Sequence, residues 1–543
     1  MKQLLAFPLV FAVVLLLAGM VLRSPTVGAE PFTPGQILNE QQVAAVTAAA
    51  LAFITPYALD AVKPPDLALW GLRGLTTLDP RLTPDIRSDE PGKPVLRLIG
   101  PSRVLLARPA PAEGDYAGWG EAVAQTVRAG WDASDPVRRA GTGGVIRTFF
   151  DELFNHLDPY SRYAPPEEAR GERLRRAGRA SLGIDPGIAR GAIVVRMLEA
   201  GGAAAQAGVK PGERILSVDG QPLPGNDLQL ARTLLSGPDG SEAELSLRGH
   251  DGKVRNMTLT RALLPPETVT ATTQGDTLVI SMTSFARNTA ARLVQELIRG
   301  VAATPPPRGV VIDLRGNRGG VLQQAVAAAA MLQKDGLVAS TAGRNQAAAH
   351  DFVADGRDLS AGLPVVVLVD GRTASAAEIM AASLADQRRA VVIGSATLGK
   401  GLVQTITSLP DGGELFVSWS RVLAPRGWPI QGLGVLPQLC TSAGQDAAQQ
   451  QFEELRHGEQ RMATALARHR AARPPLSAQA ALDLRNACPA AEGREEDMSM
   501  ARRLIGAPTA YAAALLPPPP VASVLGTAGR STPGLTPTGM VRN

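Results

Sequence analysis

Ser375 and Lys400 are the residues of this chain whose types and placement could do chemistry. Ser375 follows an apolar run at 364–369 and a small-residue turn at 371–377, at the start of a helix expected over 376–388. A hydroxyl at a strand-to-helix turn is held out from the sheet. Helix N–H groups and the helix dipole favour a developing negative charge there. Lys400 follows a second apolar strand, 390–394, and a glycine, so its amine can return to the same sheet edge. A serine whose proton is taken by a lysine is one form of the nucleophile–base pair of acyl transfer. As bare residue types, the same two are more readily accounted for by a helix cap and a solvated surface charge. Glu378, one turn beyond Ser375, is either a hydrogen-bonding support or an ordinary acid in a first helical turn.

Other chemistries fit less well. GSATLGKG (394–401) has the glycine and lysine spacing of a phosphate loop, but Gly401 stands where magnesium would need a Ser or Thr. The five histidines (156, 250, 350, 457 and 469) sit in no motif of a Ser–His–Asp hydrolase. Cys440 and Cys488 have no CxxC spacing and no nearby His, so no metal site is expected. In an oxidising compartment the two can form a disulfide; two buried thiols are the alternative.

The elements that must position Ser375 and Lys400 read as strand–loop–helix units. A strand at 277–282 and an amphipathic helix precede the strand 309–314, the loop DLRGNRGG (313–320) and a helix over 321–332. Repetition of this kind argues an α/β core with a partly parallel sheet. Gly316, Gly319 and Gly320 allow close backbone approach to a site. Asp313 and Arg315 read as structural, through a buried salt bridge or loop hydrogen bonds.

ASAAEI around Ser375, TLGKGLVQ around Lys400 and DLRGNRGG together resemble the carboxyl-terminal processing peptidases, a tail-specific family of serine proteases. The resemblance spans roughly 145–440. It implies a Ser375–Lys400 dyad, Gln404 orienting the lysine, and an oxyanion hole from the amides of Ala376 and of Gly319 or Gly320. It implies a ClpP/crotonase-like α/β core. The family's usual Pro-Asp is Pro437-Gln438 here, which touches no catalytic role. Residues 178–263 resemble a PDZ domain, β-rich with two helices. Leu182, Gly183 and Ile184 match its carboxylate-binding loop, which holds a peptide C-terminus as the peptide adds a strand. The fold class is therefore multidomain α/β. It comprises a mostly helical region (30–177), the PDZ domain (178–263), the protease core (264–440), a helical extension (441–514) and a Pro-rich tail (515–543) expected to be disordered.

The whole chain has 543 residues, 45% hydrophobic and 19% charged, with a net charge of +5. The positive excess is thinly spread and gives no case for nucleic acid. Lys2 precedes an apolar run at 4–22, and Val27-Gly28-Ala29 offers a cleavage position. Residues 1–29 are thus a signal peptide, or an anchor that leaves residues 4–22 in the membrane. Export places the remainder in the periplasm or cell envelope. The expected activity is endopeptidase cleavage of exported proteins at or near their C-termini, gated by the PDZ domain and needing no cofactor. Expected partners are protein or peptide substrates, an adaptor protein and further copies of the chain. The competing class is a catalytically silent PDZ scaffold, which would not need Ser375, Lys400 and Gln404 together.

Overall fold

The computed structural model describes residues 37–518 except 91–92, 178–179, 200, 226 and 263–267. The expected export segment and nearly all of the expected tail lie outside the described residues. The described residues form two compact units, one from 37–47 with 68–152, the other from 48–67 with 153–518. Helix α1 (Glu40–Tyr57) begins the described chain.

The first unit carries a small sheet beside its helices. Three antiparallel strands, β1 (Thr83–Glu90), β2 (Lys93–Ile99) and β3 (Val104–Pro109), pack on α2 (Tyr116–Ala133), which α3 (Asp135–Phe154) follows. In β2, Leu96 and Leu98 are fully buried while Arg97 between them pairs with Asp85 across the ladder. Period-two alternation over so short a run marks a half-buried strand.

In the second unit, β4 (Arg162–Ala164) leads to an antiparallel sheet. Its strands are β5 (Ile184–Ala189), β6 (Ala192–Leu198), β7 (Arg214–Val218), β8 (Glu242–Arg248) and β9 (Val254–Thr260), with β5 at one edge. Helix α4 (Leu228–Leu235) packs on β5.

The core sheet runs in the order β10 (Val269–Gln274), β11 (Thr277–Met282), β12 (Gly309–Asp313), β15 (Val365–Val369), β16 (Ala390–Gly394), β19 (Leu439–Cys440). All its pairings are parallel except β10 with β11. Helices α5 (Thr289–Val301), α6 (Leu322–Ala330) and α7 (Ala376–Asp386) connect the strands. A second sheet joins β13 (Gly336–Ala342), β14 (His350–Ala354), β17 (Leu402–Ser408) and β18 (Glu414–Leu423), with β4 paired to β18.

A parallel sheet needs both faces covered. Val310, Ile312, Val367 and Val392 face the cluster that holds α5, α6 and α7. Val311, Val366, Leu368 and Ile393 face the other way. There they meet Phe452 of α8 (Gln445–Arg456), Leu504 of α11 (Glu495–Ile505) and Ala510 of α12 (Pro508–Ala514). The C-terminal helices therefore cover one face of the core sheet. Between them lie α9 (Ala463–Ala471) and α10 (Ala478–Arg485). Cys440 and Cys488 are joined by a disulfide.

Candidate active site

Strand β15 ends at Val369, and the chain turns through 370–375 into α7. Ser375 is the N-cap, with φ 57° and ψ −120°. That backbone is unfavourable for a residue with a Cβ and persists where surrounding contacts dictate it. Two buried side chains supply them. Asp370 Oδ1 accepts from Gly316 N (3.0 Å), Arg372 N (3.0 Å) and Thr373 N (2.9 Å). Asn317 donates Nδ2 to Met282 O (2.8 Å), while its backbone oxygen accepts from Ala374 N (2.9 Å). The glycine loop and the serine turn are thus one hydrogen-bonded body.

Gly319 shows how closely they meet. A Cβ there would lie 2.8 Å from Ser375 Cβ and 2.9 Å from Ala376 N, and Gly319 has φ +94°. At Gly320 (φ +145°) a Cβ would lie 2.2 Å from Phe285 O. Ala376 N is the first amide of α7, an orphan donor by helix geometry. The Gly319 amide is already engaged, donating to Asn317 Oδ1 at 2.8 Å. The amide of Gly320 has no hydrogen-bond acceptor among the described residues.

Glu378 is the centre of the arrangement. Fully buried, its Oε2 accepts from Ser375 N at 2.7 Å and from Lys400 N at 2.9 Å. The two nitrogens share one oxygen and so lie within about 6 Å of each other. Its Oε1 accepts from Gly399 N at 2.7 Å and from the Thr397 hydroxyl. Burial pushes the Glu378 carboxyl upward, and the four donors, Thr397 foremost, act against that shift.

Lys400 is half-buried, with Nζ 5.3 Å from the centroid of the Tyr160 ring. Among the described residues no hydrogen bond joins Lys400 Nζ to Ser375 Oγ. Among the described residues no hydrogen bond joins Gln404 to the Lys400 amine; the Gln404 Nε2 donates to Tyr160 O. The reason is local, since β4 pairs with β18 and Ser161 Oγ accepts from Ser418 N (2.9 Å), which carries Tyr160 alongside β17. A polar cavity of about 1110 Å³ opens beside the turn, lined in part by Asp370 and Arg372, and does not include Ser375 or Lys400.

In the β-rich domain Leu182 and Gly183 precede edge strand β5, and Ile184 begins it. Leu182 N donates to Leu235 O at the end of α4 (3.3 Å), and Gly183 N donates to Ser181 Oγ (3.1 Å). Two amides of the expected carboxylate loop are therefore bonded within the domain. The sequence carries no sign of the roles of Asp370, Asn317 and Tyr160, which depend on the distant partners Gly316, Met282 and Lys400.

Residues 276–440 match peptidase family S41, and residues 194–249 match a PDZ domain. The chain is 34% identical over 301 residues to a carboxy-terminal-processing protease of Bartonella bacilliformis, covering 54% of this chain and 69% of that one. It is 31% identical to a chloroplastic C-terminal processing peptidase of Tetradesmus obliquus, covering 58% and 74%. The solved photosystem II D1 C-terminal processing protease is 29% identical over 59% of this chain and 85% of that one, with a TM-score of 0.35. The chain belongs to the carboxyl-terminal processing proteases of peptidase family S41. It is a serine-type peptidase that carries a PDZ domain.

Proposed function

We propose that the peptidase works through a Ser375–Lys400 dyad. The observation that carries this is Glu378, whose single Oε2 binds the backbone of both residues and so brings a strained serine and a lysine to one point. Lys400, in its neutral form, takes the proton of Ser375 Oγ as that oxygen attacks the scissile carbonyl. The oxyanion is received by the Ala376 amide and by a glycine amide. Gly320 suits this better than Gly319, whose N–H is bonded to Asn317. Lys400 then gives its proton to the leaving amine, and water hydrolyses the acyl-enzyme.

Lys400 over the Tyr160 ring represents a resting position, from which the amine swings to Ser375 when substrate binds. Catalytic hydrogen bonds commonly tighten only in the substrate complex. Gln404, anchored on Tyr160 O, holds β17 rather than the amine at rest. The PDZ domain receives the substrate C-terminus between β5 and α4. Freeing the Leu182 and Gly183 amides for that carboxylate breaks their bonds to Leu235 and Ser181, which couples peptide capture to movement of the domain. Substrates are exported proteins of the periplasm or envelope, reached through the N-terminal export segment. Among the described residues no helix is long and apolar enough to cross a membrane.

The test is cleavage of an unfolded protein by the purified chain and by Ser375→Ala, Lys400→Ala and Lys400→Arg. All three variants are expected to be folded by circular dichroism and inactive: the alanine variants lack the nucleophile or the base, and a guanidinium cannot serve as a base near neutral pH. Turnover by either lysine variant at the wild-type rate overturns the dyad.

A further inference from the structure

The extension beyond residue 440 lies outside both family matches, yet after α10 it runs along the catalytic loops. Arg485, the last residue of α10, donates Nη1 to Leu433 O (3.1 Å), Leu398 O (3.3 Å) and Gly432 O (3.4 Å). The same nitrogen lies 3.1 Å from where a Cβ on Gly399 would stand. Gly399 is the residue before Lys400: its N–H goes to Glu378, and its oxygen accepts from Gly432 N at 2.9 Å. The guanidinium thus occupies the space above the lysine loop and ties it to the loop at 432–433.

The chain beyond Arg485 is fastened on both sides of the site. Cys488 is bonded to Cys440, and its carbonyl accepts from Ala396 N at 3.2 Å. Ala491 O accepts from Gly371 N (2.7 Å) on the serine turn and from Ser395 Oγ (2.9 Å) on the lysine loop. Gly493 N donates to Asp370 Oδ2 at 3.3 Å.

We propose that Arg485 is a positioning residue for Lys400, acting through the backbone of 397–399. The strap from 485 to 493, fastened by the Cys440–Cys488 disulfide, is then a working part of the catalytic site. The inference rests on the dyad reading. A planar cation with several donors suits three convergent carbonyls better than any neutral side chain. Misplacement of a catalytic group by about 1 Å can lower a rate ~100-fold.

The test uses the full chain and a peptide substrate that it cleaves. Arg485→Met is expected to lower kcat by ~10–100-fold, with KM within about threefold of wild type and an unchanged dichroism spectrum. Arg485→Lys, which keeps a cationic donor, recovers most of that loss. Labelling of Ser375 by a fluorophosphonate slows in parallel, a change that packing of α10 alone does not produce. Cys440→Ala with Cys488→Ala lowers kcat as well, and Arg485→Met costs less in that background because the two act on one strap. An Arg485→Met enzyme with wild-type kcat, or one altered in KM alone, overturns the proposal. Should Arg485→Met fail to fold, wild-type kcat in the cysteine-free variant overturns it instead. Wild-type turnover by Lys400→Ala refutes the dyad, which separates the two failures.

Discussion

Replacing Gly319 with alanine isolates the contact between the glycine loop and the serine turn. The added methyl enters a backbone with φ +94°, and its neighbours are Ala374 O and Ser375 Cβ at 2.8 Å and Ala376 N at 2.9 Å. Left-handed backbone costs an ordinary residue about 1–2 kcal/mol, and overpacking of this kind typically adds about 1–3 kcal/mol. The total, roughly 2–5 kcal/mol, is less than the ~5–15 kcal/mol that holds a domain folded. The enzyme should therefore survive with a lower melting temperature. Relief of the overlap comes mainly by displacing the start of α7, because the neighbours are backbone atoms and a Cβ. Losing one oxyanion donor lowers kcat by ~10²–10³, and that is the expected loss. Gly316→Ala is the control: Gly316 has φ +72° but nothing within 4 Å of an added Cβ. It should show only the strain of about 1–2 kcal/mol, with kcat within a few-fold of wild type. The assay is kcat and KM on a peptide substrate beside thermal melts of both variants. A folded Gly319→Ala enzyme with wild-type kcat refutes the reasoning, as does equal inactivity in Gly316→Ala.

The packing and the buried charges set four further outcomes. His469 is fully buried against Trp428 and Arg470, and burial, then the Arg470 charge, hold its pKa well below 6.5. The folded state resists a proton that the unfolded chain accepts, so stability falls as pH drops below 6.5 by up to about 1.4 kcal/mol per pH unit. Urea midpoints at pH 7.5 and 5.5 should diverge more for wild type than for His469→Gln, and equal divergence contradicts this. Leu504→Ala should cost about 2–5 kcal/mol in urea unfolding, since Leu504 is fully buried against the core sheet. Leu482→Ala, at a residue 50% exposed on α10, should cost under ~0.5 kcal/mol. Glu378→Gln must place an amide N–H₂ against either the Ser375 and Lys400 N–H pair or Gly399 N–H and the Thr397 hydroxyl. Each buried donor left unpaired costs about 1–3 kcal/mol, so kcat and melting temperature should fall together. An unchanged kcat would remove Glu378 from its central role.

The parts legible from sequence are those with a local signal. The run at 364–369 is uninterrupted and rich in valine, and small residues then mark the turn into α7, so the strand, Ser375 and the helix follow from neighbours in the chain. The glycines of 316–320 likewise announce a loop that approaches something closely. Asn317, Asp370 and Arg485 give no such signal. Each matters through partners tens to hundreds of residues away, such as Met282 for Asn317 and Leu398 for Arg485. The helices of 441–514 are rich in Ala, Gln and Arg, so the apolar face of Phe452, Leu455 and Leu504 stands out little from its surroundings. Their place as the second face of the sheet depends on β12, β15 and β16 exposing valines on both sides, which periodicity alone does not reveal. Tyr160 gives no sign in the sequence that it lies against Lys400. That placement comes from the pairing of β4 with β18.

The central claim is that Ser375 is a nucleophile whose proton is taken by Lys400. Its most direct test is peptide mapping of the full chain after reaction with a fluorophosphonate. The account predicts a single adduct on Ser375, lost in Ser375→Ala and formed ~10²–10⁴-fold more slowly in Lys400→Ala, the range expected for removing a general base. An adduct on another residue, or labelling of Lys400→Ala at the wild-type rate, would contradict it.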